Sequence, residues 1–372
     1  MRDALKGITI LEVGTMTPGK FAGFLLAGWG ASSIRIERTN TAGPISDEDL
    51  TLNRGKRSIA LNLREPDGLD VLMRLAAKAD VFMESYRPGV AARLGIGVET
   101  VRKVNPKLVY CSLSGYGQTG PDAERPAYDL NIQAETGFSH LIAGGHDPVP
   151  SGTYIADSVS GLMIAFALTA ALRRRDASGE GSHLELSMQD NLFSLLAVSH
   201  GTMRGTVSPQ TLPSRAAYDI FETADGRHLA LGAARSASCT ALFEHLGRPD
   251  LAAAGMLRGA DGEPARAFLR DTFRHKPAAA WVEELIALDI EIAPVNTPRE
   301  AFGNRQLAER SMIINTTHPT AGPLRQIGIA GIGADVGDMS PAPATGDDTD
   351  AILHELGYDE TGIAALHSSQ VV

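Results

Sequence analysis

Apolar positions in the first third of the chain follow two alternating periods. Short β-branched and apolar runs predict strands at 8–13, 33–37, 81–83 and 108–113. Between these runs, apolar residues at helical spacing predict helices at 20–29, 66–79 and 98–104. Strands that alternate with helices are typical of a mostly parallel sheet with helices on both faces. We therefore expect an α/β fold with a Rossmann-like large domain.

The pattern changes in the second half. An apolar helix is predicted over 158–175, followed by a strand over 183–188 and a helix from about residue 190. Residues 201–215 are rich in Ser, Thr, Pro and Gly, which is typical of a linker. Beyond them, a hairpin is predicted around the turn at Asp225 and Gly226, and further helices follow. This order predicts a second, smaller α+β domain.

The composition limits the classes of function. A chain of 372 residues with 43% hydrophobic content can bury a large core, and its length favours two domains over one. Its 34 basic and 44 acidic residues give a net charge of -10, which argues against nucleic acid or an anionic membrane as a partner. The longest apolar stretch, 161–172, is too short to cross a bilayer and predicts a buried helix.

Cysteine and histidine usage narrows the chemistry further. Cys111 and Cys239 are the two cysteines, which excludes a disulfide framework and fits a reducing cytoplasm. The first residues lack the apolar run of a secretory signal, so we expect no export. None of the ten histidines stands in a metal-ligand pattern, so the sequence predicts no metal site.

Basic residues cluster after the second predicted strand, where open α/β sheets commonly bind ligands. They are Arg38, Arg54, Lys56, Arg57 and Arg64. Arginine binds phosphate oxygens bidentately, so the cluster suits a multiply phosphorylated ligand. A solvated basic surface explains the same residues, and it is the commoner outcome for a short charge run.

Two turns at strand ends are candidates for ligand contact. Residues 14–21 nearly match a phosphate-binding P-loop, but Phe21 replaces the hydroxyl residue that ligates Mg²⁺, and Pro18 lacks a backbone N–H. A turn that lines a cleft is the favoured interpretation there. Tyr86-Arg87-Pro88-Gly89 follows the strand 81–83, with Arg93 shortly after. That segment is either a strand-ending turn or a ligand contact.

Asp157 precedes the long apolar helix. It can be the N-cap of that helix, a role worth about 1 kcal/mol. It can also be a covalent nucleophile, because a carboxylate near a helix N-terminus stays ionised at neutral pH. The two interpretations are compatible.

Taken in order, several segments resemble the class III coenzyme A transferase family (CaiB/BaiF-like), which also contains the α-methylacyl-CoA racemases. The matching stretches are 30–37, 53–59, 79–90, 105–110, 115–121, 128–130, 156–157 and 225–226. The resemblance is densest from about residue 7 to 200 and covers nearly the whole chain.

The resemblance implies an interlocked homodimer, in which two ring-like subunits pass through each other. It also implies an enzyme with a large CoA-binding domain, a small domain and a C-terminal return to the large one. We place the large domain at 1–200, a linker at 201–220, the small α+β domain at 221–316 and the return at 317–372.

The resemblance further implies that coenzyme A is a substrate, delivered as an acyl-CoA donor to a small carboxylic acid acceptor, and that no prosthetic group is bound. Asp157 is the implied catalytic nucleophile. The implied CoA contacts are Arg38, Asn53, Arg54, Lys56, Ser85, Tyr86, Arg87 and Arg93. The implied acid-binding residues are Tyr128, Asp129 and Asn131.

At two positions this chain departs from the residues expected of the racemases in the family. In the racemase branch a His stands directly before the Asp that matches Asp129, and this chain has Tyr128. A phenol with a pKa near 10 is a poorer base at neutral pH than an imidazole. A racemase-type Glu is also expected where Arg235 aligns. We therefore predict CoA transfer through an aspartyl-CoA thioester on Asp157, with racemisation or epimerisation at the acyl α-carbon as the alternative.

Overall fold

The computed structural model describes residues 3–39, 43–144, 146–200 and 215–372. The chain divides into two compact units. Unit 1 comprises 1–142, 147–202 and 305–372, and unit 2 comprises 143–146 and 203–304. Most of the predicted linker, 201–220, lies outside the described residues, and its last residues belong to a strand of unit 2. The chain returns to unit 1 at Arg305, earlier than the predicted position 317.

A six-stranded parallel sheet forms the centre of unit 1, with the order β3-β2-β1-β4-β5-β6. Its strands are β1 (Thr9–Val13), β2 (Ser32–Glu37), β3 (Lys56–Ala60), β4 (Val81–Glu84), β5 (Val109–Ser114) and β6 (Ser182–Ser187). The predicted α/β class and parallel sheet are confirmed. Strand β3 was not predicted, because its residues were interpreted as part of a basic cluster.

Helices cover both faces of this sheet. They are α1 (Thr17–Gly28), α2 (Asp47–Leu52), α3 (Pro66–Lys78), α4 (Val90–Arg93), α5 (Val98–Val104), α6 (Asp129–Glu135), α7 (Phe138–Ile142), α8 (Ile155–Ser178), α9 (Met188–Ser194) and α10 (Ala197–His200). Successive strand residues point to opposite faces. Ile10 packs in the core that contains α1 and α8, and Leu11 packs in the core that contains α3.

Helix α8 is long and apolar enough, by length and composition, to cross a membrane. It is also a core helix, because Ala156, Ile164 and Leu168 are fully buried against the sheet and α1. Its 24 residues begin three positions earlier and end three positions later than the predicted helix.

Unit 2 contains a three-stranded antiparallel sheet and several helices. Its elements are β7 (Tyr218–Glu222), β8 (His228–Gly232), α11 (Ser236–His245), a 3₁₀ helix (Pro249–Leu251), α12 (Ala252–Gly255), α13 (Gly259–Phe273), α14 (Ala278–Ile286), β9 (Ile292–Pro294) and α15 (Pro298–Ala301). The predicted hairpin is confirmed, since β7 pairs with β8 around Asp225 and Gly226. Phe243, Phe273 and Trp281 anchor its core.

The last part of the chain packs on unit 1. It contains α16 (Arg305–Glu309), β10 (Ile313–His318), β11 (Gly322–Ile327), a 3₁₀ helix (Gly333–Asp338), α17 (Thr349–Glu355) and α18 (Glu360–Ser368). Ile314 and Ile329 pack against Phe24 of α1. Ile352 and Leu366 join the core around β1 and α3. The contact of Ile314 with Phe24 lies before residue 317, within the part of the chain that belongs to unit 1.

Candidate functional site

A cavity of about 770 Å³ lies in unit 1, where the strand order reverses between β1 and β4. Open parallel sheets bind ligands at this position, outside the carboxyl ends of the strands. The cavity is lined by the turn after β1, by α2, by the segment after β4, by the end of β5 and by the starts of α6 and α8. Segments distant in the sequence therefore meet at one site.

Asp157 lines this cavity. It is the third residue of α8, whose N-cap is Tyr154, so the interpretation of Asp157 as the N-cap is wrong. Burial, followed by the charges of Asp129 and Glu48, raises the pKa of Asp157 to about 6. At pH 7 a carboxyl with that pKa is about nine-tenths ionised. The side chain is therefore a carboxylate that has lost part of its hydration, which suits a nucleophile.

Asp129 holds the backbone of Asp157 in place. It is the first residue of α6 and is 7% exposed. Its Oδ1 accepts a hydrogen bond from the Asp157 N–H at 3.1 Å, and its Oδ2 accepts one from Gln133 Nε2. The Gln133 amide also donates to the Thr153 carbonyl at 3.3 Å. The starts of α6 and α8 are thus tied together, and the Asp157 N–H is already bonded to a carboxylate.

Tyr128 and Asn131 have different positions relative to the cavity. Tyr128 is the N-cap residue of α6, is 73% exposed and lines the cavity. Its N–H donates to Asn131 Oδ1 at 2.7 Å, and Asn131 Nδ2 donates to the Tyr116 hydroxyl at 2.7 Å. Asn131 is not among the residues that line the cavity, and its contacts order the start of α6.

The segment after β4 forms another wall, through Ser85, Tyr86 and Arg87. The Tyr86 N–H donates to Glu84 Oε2 at 2.7 Å. The Tyr86 ring lies directly against Gly14, which has φ +59°, so that any side chain at Gly14 would overlap the ring. The turn after β1 is therefore packed against Tyr86, and its next residues, Met16, Thr17 and Pro18, line the cavity.

Two further arginines lie beside this wall. The Arg93 guanidinium lies next to Gly89. A Cβ atom placed on Gly89 would be 3.1 Å from Arg93 Nη1. Burial raises the pKa of Tyr86, and the nearby charge of Arg38 opposes that rise. Arg38, Arg87 and Arg93 are all exposed. They therefore form a basic edge next to Tyr86.

Lys56 lies elsewhere. It is 3% exposed, and its ammonium pairs with Glu12 at 2.8 Å and donates to the Lys20 carbonyl at 2.8 Å. The Ser33 hydroxyl also donates to Glu12, at 2.5 Å. Lys56 does not line the cavity and is occupied inside the protein.

Arg54 and Asn53 do not line the cavity either. Arg54 is 1% exposed, stacks over Phe24 at 5.1 Å and donates to Gln326 Oε1 at 2.9 Å. Asn53 is fully buried and its amide donates to Asp49 Oδ1 at 2.8 Å. Arg57 pairs with Glu355 at 2.9 Å. The basic cluster of the sequence is therefore dispersed in the fold.

Glu48 is a cavity residue that the sequence analysis missed. It lies on α2, where its Oε1 accepts hydrogen bonds from the Thr17 hydroxyl at 3.3 Å and from Lys20 Nζ at 3.2 Å. The sequence contains a signal for the start of α2. Ser46 is the N-cap residue, and its hydroxyl oxygen accepts a hydrogen bond from the Asp49 N–H three residues later. No local pattern, however, places that helix beside Asp157.

Residues 5–349 match the sequence profile of CoA-transferase family III. The chain belongs to CoA-transferase family III. The family resemblance found in the sequence is thereby confirmed, and enzymes of this family use CoA thioesters as substrates.

The relatives of this family III enzyme include both racemases and CoA-transferases. The chain is 31% identical to an α-methylacyl-CoA racemase of Mus musculus, over 99% of the chain and 97% of the relative. It is 30% identical to a succinyl-CoA:glutarate CoA-transferase of Homo sapiens, over 99% of the chain and 90% of the relative. The structure matches a CaiB/BaiF family protein from Brucella suis with a TM-score of 0.78 and 27% identity, over 95% and 99% of the two chains. These matches support CoA transfer or racemisation in general.

Proposed function

We propose that the protein transfers coenzyme A from an acyl-CoA thioester to a carboxylic acid, with Asp157 as the covalent nucleophile. The observation that carries the proposal is the position of Asp157: a partly desolvated carboxylate in a cavity, with its backbone fixed by Asp129. Family membership supports CoA thioesters as the substrates.

The first half of the reaction loads CoA onto the enzyme. An oxygen of Asp157 attacks the donor thioester carbon, the C–S bond breaks, and CoA leaves as the thiolate. The thiolate then attacks the Asp157 carbonyl of the resulting anhydride. The C–O bond breaks, the donor acid leaves as its carboxylate, and an aspartyl-CoA thioester remains. Covalent catalysis divides one difficult exchange into easier steps.

The second half repeats these steps in reverse order with the acceptor. The acceptor carboxylate attacks the aspartyl carbonyl and expels CoA thiolate, which gives a second mixed anhydride. The thiolate then attacks the acceptor's carbonyl, and Asp157 leaves as its carboxylate. No proton is gained or lost over the cycle, so Asp129 and Tyr128 are assigned positioning rather than proton transfer.

We assign the CoA contacts in this proposal to the wall after β4. Ser85, Tyr86 and Arg87 line the cavity, and Arg38 and Arg93 extend the basic edge beside them. Exposed arginines suit the phosphates of CoA. Asn53, Arg54 and Lys56 are left out of this assignment, because they are buried, do not line the cavity and bond to neighbouring groups within the protein.

Racemisation is the second candidate function. It is favoured by the 31% identical racemase and by the raised pKa of Asp157, which brings that carboxyl closer to the pKa that suits a general acid or base at neutral pH. It needs an acid and a base on opposite faces of the acyl α-carbon. Tyr128 is the residue beside Asp129 that would have to serve. A phenol at neutral pH serves this role poorly.

The test is chemical trapping. The protein is incubated with an acyl-CoA and an acid that it uses, then treated with hydroxylamine or borohydride and mapped by mass spectrometry. Modification at Asp157 supports the proposal, and an unmodified Asp157 in active protein would refute it. Asp157→Asn should abolish transfer and keep CoA binding, whereas Asp176→Asn at the far end of α8 should keep both. Deuterium uptake at the acyl α-carbon without an acceptor would favour racemisation.

We also propose the interlocked homodimer and the cytoplasmic location as part of this function. Large apolar side chains are exposed along α8, α9 and α10, among them Phe166 (70% exposed), Phe193 (61%) and Val198 (94%). Such a surface suits a second copy of the chain. Cys111 and Cys239 are both free thiols, which is compatible with a reducing compartment. Light scattering on the purified protein tests the dimer.

A further inference from the structure

We propose that the acceptor is a hydrocarbon monocarboxylate, and that Glu48 is the residue that excludes dicarboxylates from the cavity. The inference rests on the proposed transferase function and goes beyond it by naming the class of acid. It differs from what the name of the succinyl-CoA:glutarate relative states for that protein.

The charges on the cavity wall are the first argument. Among the described residues that line the cavity, the acidic ones are Glu48, Asp129 and Asp157, and the basic ones are Arg87 and Arg125. The Arg125 guanidinium is bonded to Asp122 at 3.2 Å and to Glu135 at 2.5 Å. It also stacks over Tyr116 at 4.8 Å. Arg125 is therefore already neutralised, and Arg87 belongs to the edge assigned to CoA.

The acidic side chains are less well balanced. The ammonium of Lys20 is shared by Glu48 at 3.2 Å and Asp49 at 2.8 Å, so one cation faces two carboxylates. The oxygens of Asp129 are bonded to the Asp157 N–H and the Gln133 amide, which are neutral donors. Asp129 and Glu48 line the same cavity as Asp157, and their charges raise the pKa of Asp157.

Apolar side chains share the rest of the wall with neutral polar ones. Met16, Leu130 and Tyr154 line the cavity and are 53%, 53% and 63% exposed. Leu113 and Met188 lie on the same wall. Exposed apolar side chains in a concave site favour a hydrocarbon ligand, because binding removes their surface from water.

The order of steps explains why one carboxylate is accepted and a second is not. When the acceptor enters, Asp157 is a neutral thioester, so the reacting carboxylate meets no charge on the nucleophile. The carboxyl groups of Asp129 and Glu48 still line the cavity at that stage. A second carboxylate on the acceptor would lie in their field and in contact with apolar side chains, and both effects oppose its binding.

The experiment compares acids of five carbons as acceptors, by kcat/KM for CoA transfer: pentanoate, glutarate and glutaramate, the last of which replaces one carboxylate of glutarate by an amide of the same shape. We expect glutarate to be at least about tenfold poorer than pentanoate, and glutaramate to lie between them, on the order expected for one unit charge at partial screening. Glu48→Gln should raise the glutarate-to-pentanoate ratio about tenfold. Asp47→Asn, which removes an exposed charge from the same helix, should leave the ratio unchanged.

The outcomes separate failure of the specificity inference from failure of the transferase function. If glutarate matches or exceeds pentanoate, or if Glu48→Gln leaves the ratio unchanged in folded protein, the specificity inference is overturned while transfer through Asp157 stands. The comparison of glutarate with glutaramate uses the wild-type protein and remains decisive if the variant does not fold. If no acid accepts CoA and Asp157 stays unmodified, the transferase function itself fails, and this inference fails with it.

Discussion

Replacing Lys56 by Met should destabilise unit 1 and leave coenzyme A binding by the folded protein unchanged. The Lys56 ammonium and the Glu12 carboxylate are both fully buried and 2.8 Å apart. Without Lys56, the Glu12 carboxylate keeps the Ser33 hydroxyl as a donor but loses its counter-ion. Removing one partner of a buried ion pair costs about 3–5 kcal/mol of unfolding free energy.

Neighbouring Arg57 provides the matched control. It lies on the same strand, but its guanidinium is 29% exposed and pairs with Glu355, which is 60% exposed. Exposed ion pairs contribute about 0–1 kcal/mol, so Arg57→Met should cost far less than Lys56→Met. The double variant Glu12→Gln/Lys56→Met should recover part of the loss, because no uncompensated charge then remains in the core.

Urea unfolding followed by tryptophan fluorescence measures these differences. Trp29 lies in unit 1 and Trp281 in unit 2, so a Trp281→Phe background leaves Trp29 as the reporter of the relevant unit. Calorimetric titration with coenzyme A then reports binding by each folded variant. The reasoning is refuted if Lys56→Met unfolds like the wild type and binds coenzyme A more weakly, since that result would make Lys56 a ligand contact.

Three further predictions follow from the site and its surroundings. Asp157→Asn should raise the free energy of unfolding at pH 7 by about 1–2 kcal/mol, a value reduced to allow for the partial exposure of the side chain. The Asp157 carboxyl ionises at a lower pH in the unfolded chain than in the folded protein, because its pKa is raised in the fold. The stabilisation by Asn should therefore appear between about pH 4 and 6 and be complete above that range. Thermal melting at pH 3.5 and 7 checks this, and an equal shift at both would contradict it. The kcat/KM for acyl-CoA should fall below about pH 6 as Asp157 protonates, and Glu48→Gln should move that fall to lower pH; an unmoved profile would exclude Glu48 from the field at Asp157. Gly23→Ala should cost about 1–3 kcal/mol in urea unfolding, because its Cβ would overlap the Glu12 carboxylate.

The central strands of the unit 1 sheet could be predicted because they are largely apolar, as expected for strands buried on both faces. β1 and β5 are examples, with burial along nearly their full length. β3 escaped prediction because it begins with Lys56 and Arg57, which are unusual in a buried strand. The Glu12 partner that allows Lys56 there is 44 residues away in the sequence, and no local pattern reports it.

The same strand explains why the basic cluster of the sequence does not form one site. Successive residues of a strand point to opposite sides, so Lys56 turns toward Glu12 and Arg57 toward Glu355. Proximity in the sequence was interpreted as proximity in a site. For Asp157 the family resemblance supplied what spacing did not, whereas the neighbourhood of Glu48 depends on the packing of α2, which no motif encodes.

The hydrogen bond between Asp129 and the Asp157 N–H has a consequence for motion during turnover. With its N–H bonded to α6 and its position in the first turn of α8, the backbone of Asp157 is fixed, so its carboxyl carbon moves only as far as rotation of the side chain allows. In the proposed cycle that carbon carries an anhydride, a thioester and a second anhydride in turn. The acids and the pantetheine sulfur must therefore come to a nucleophile whose backbone anchor stays in place through every step of that cycle.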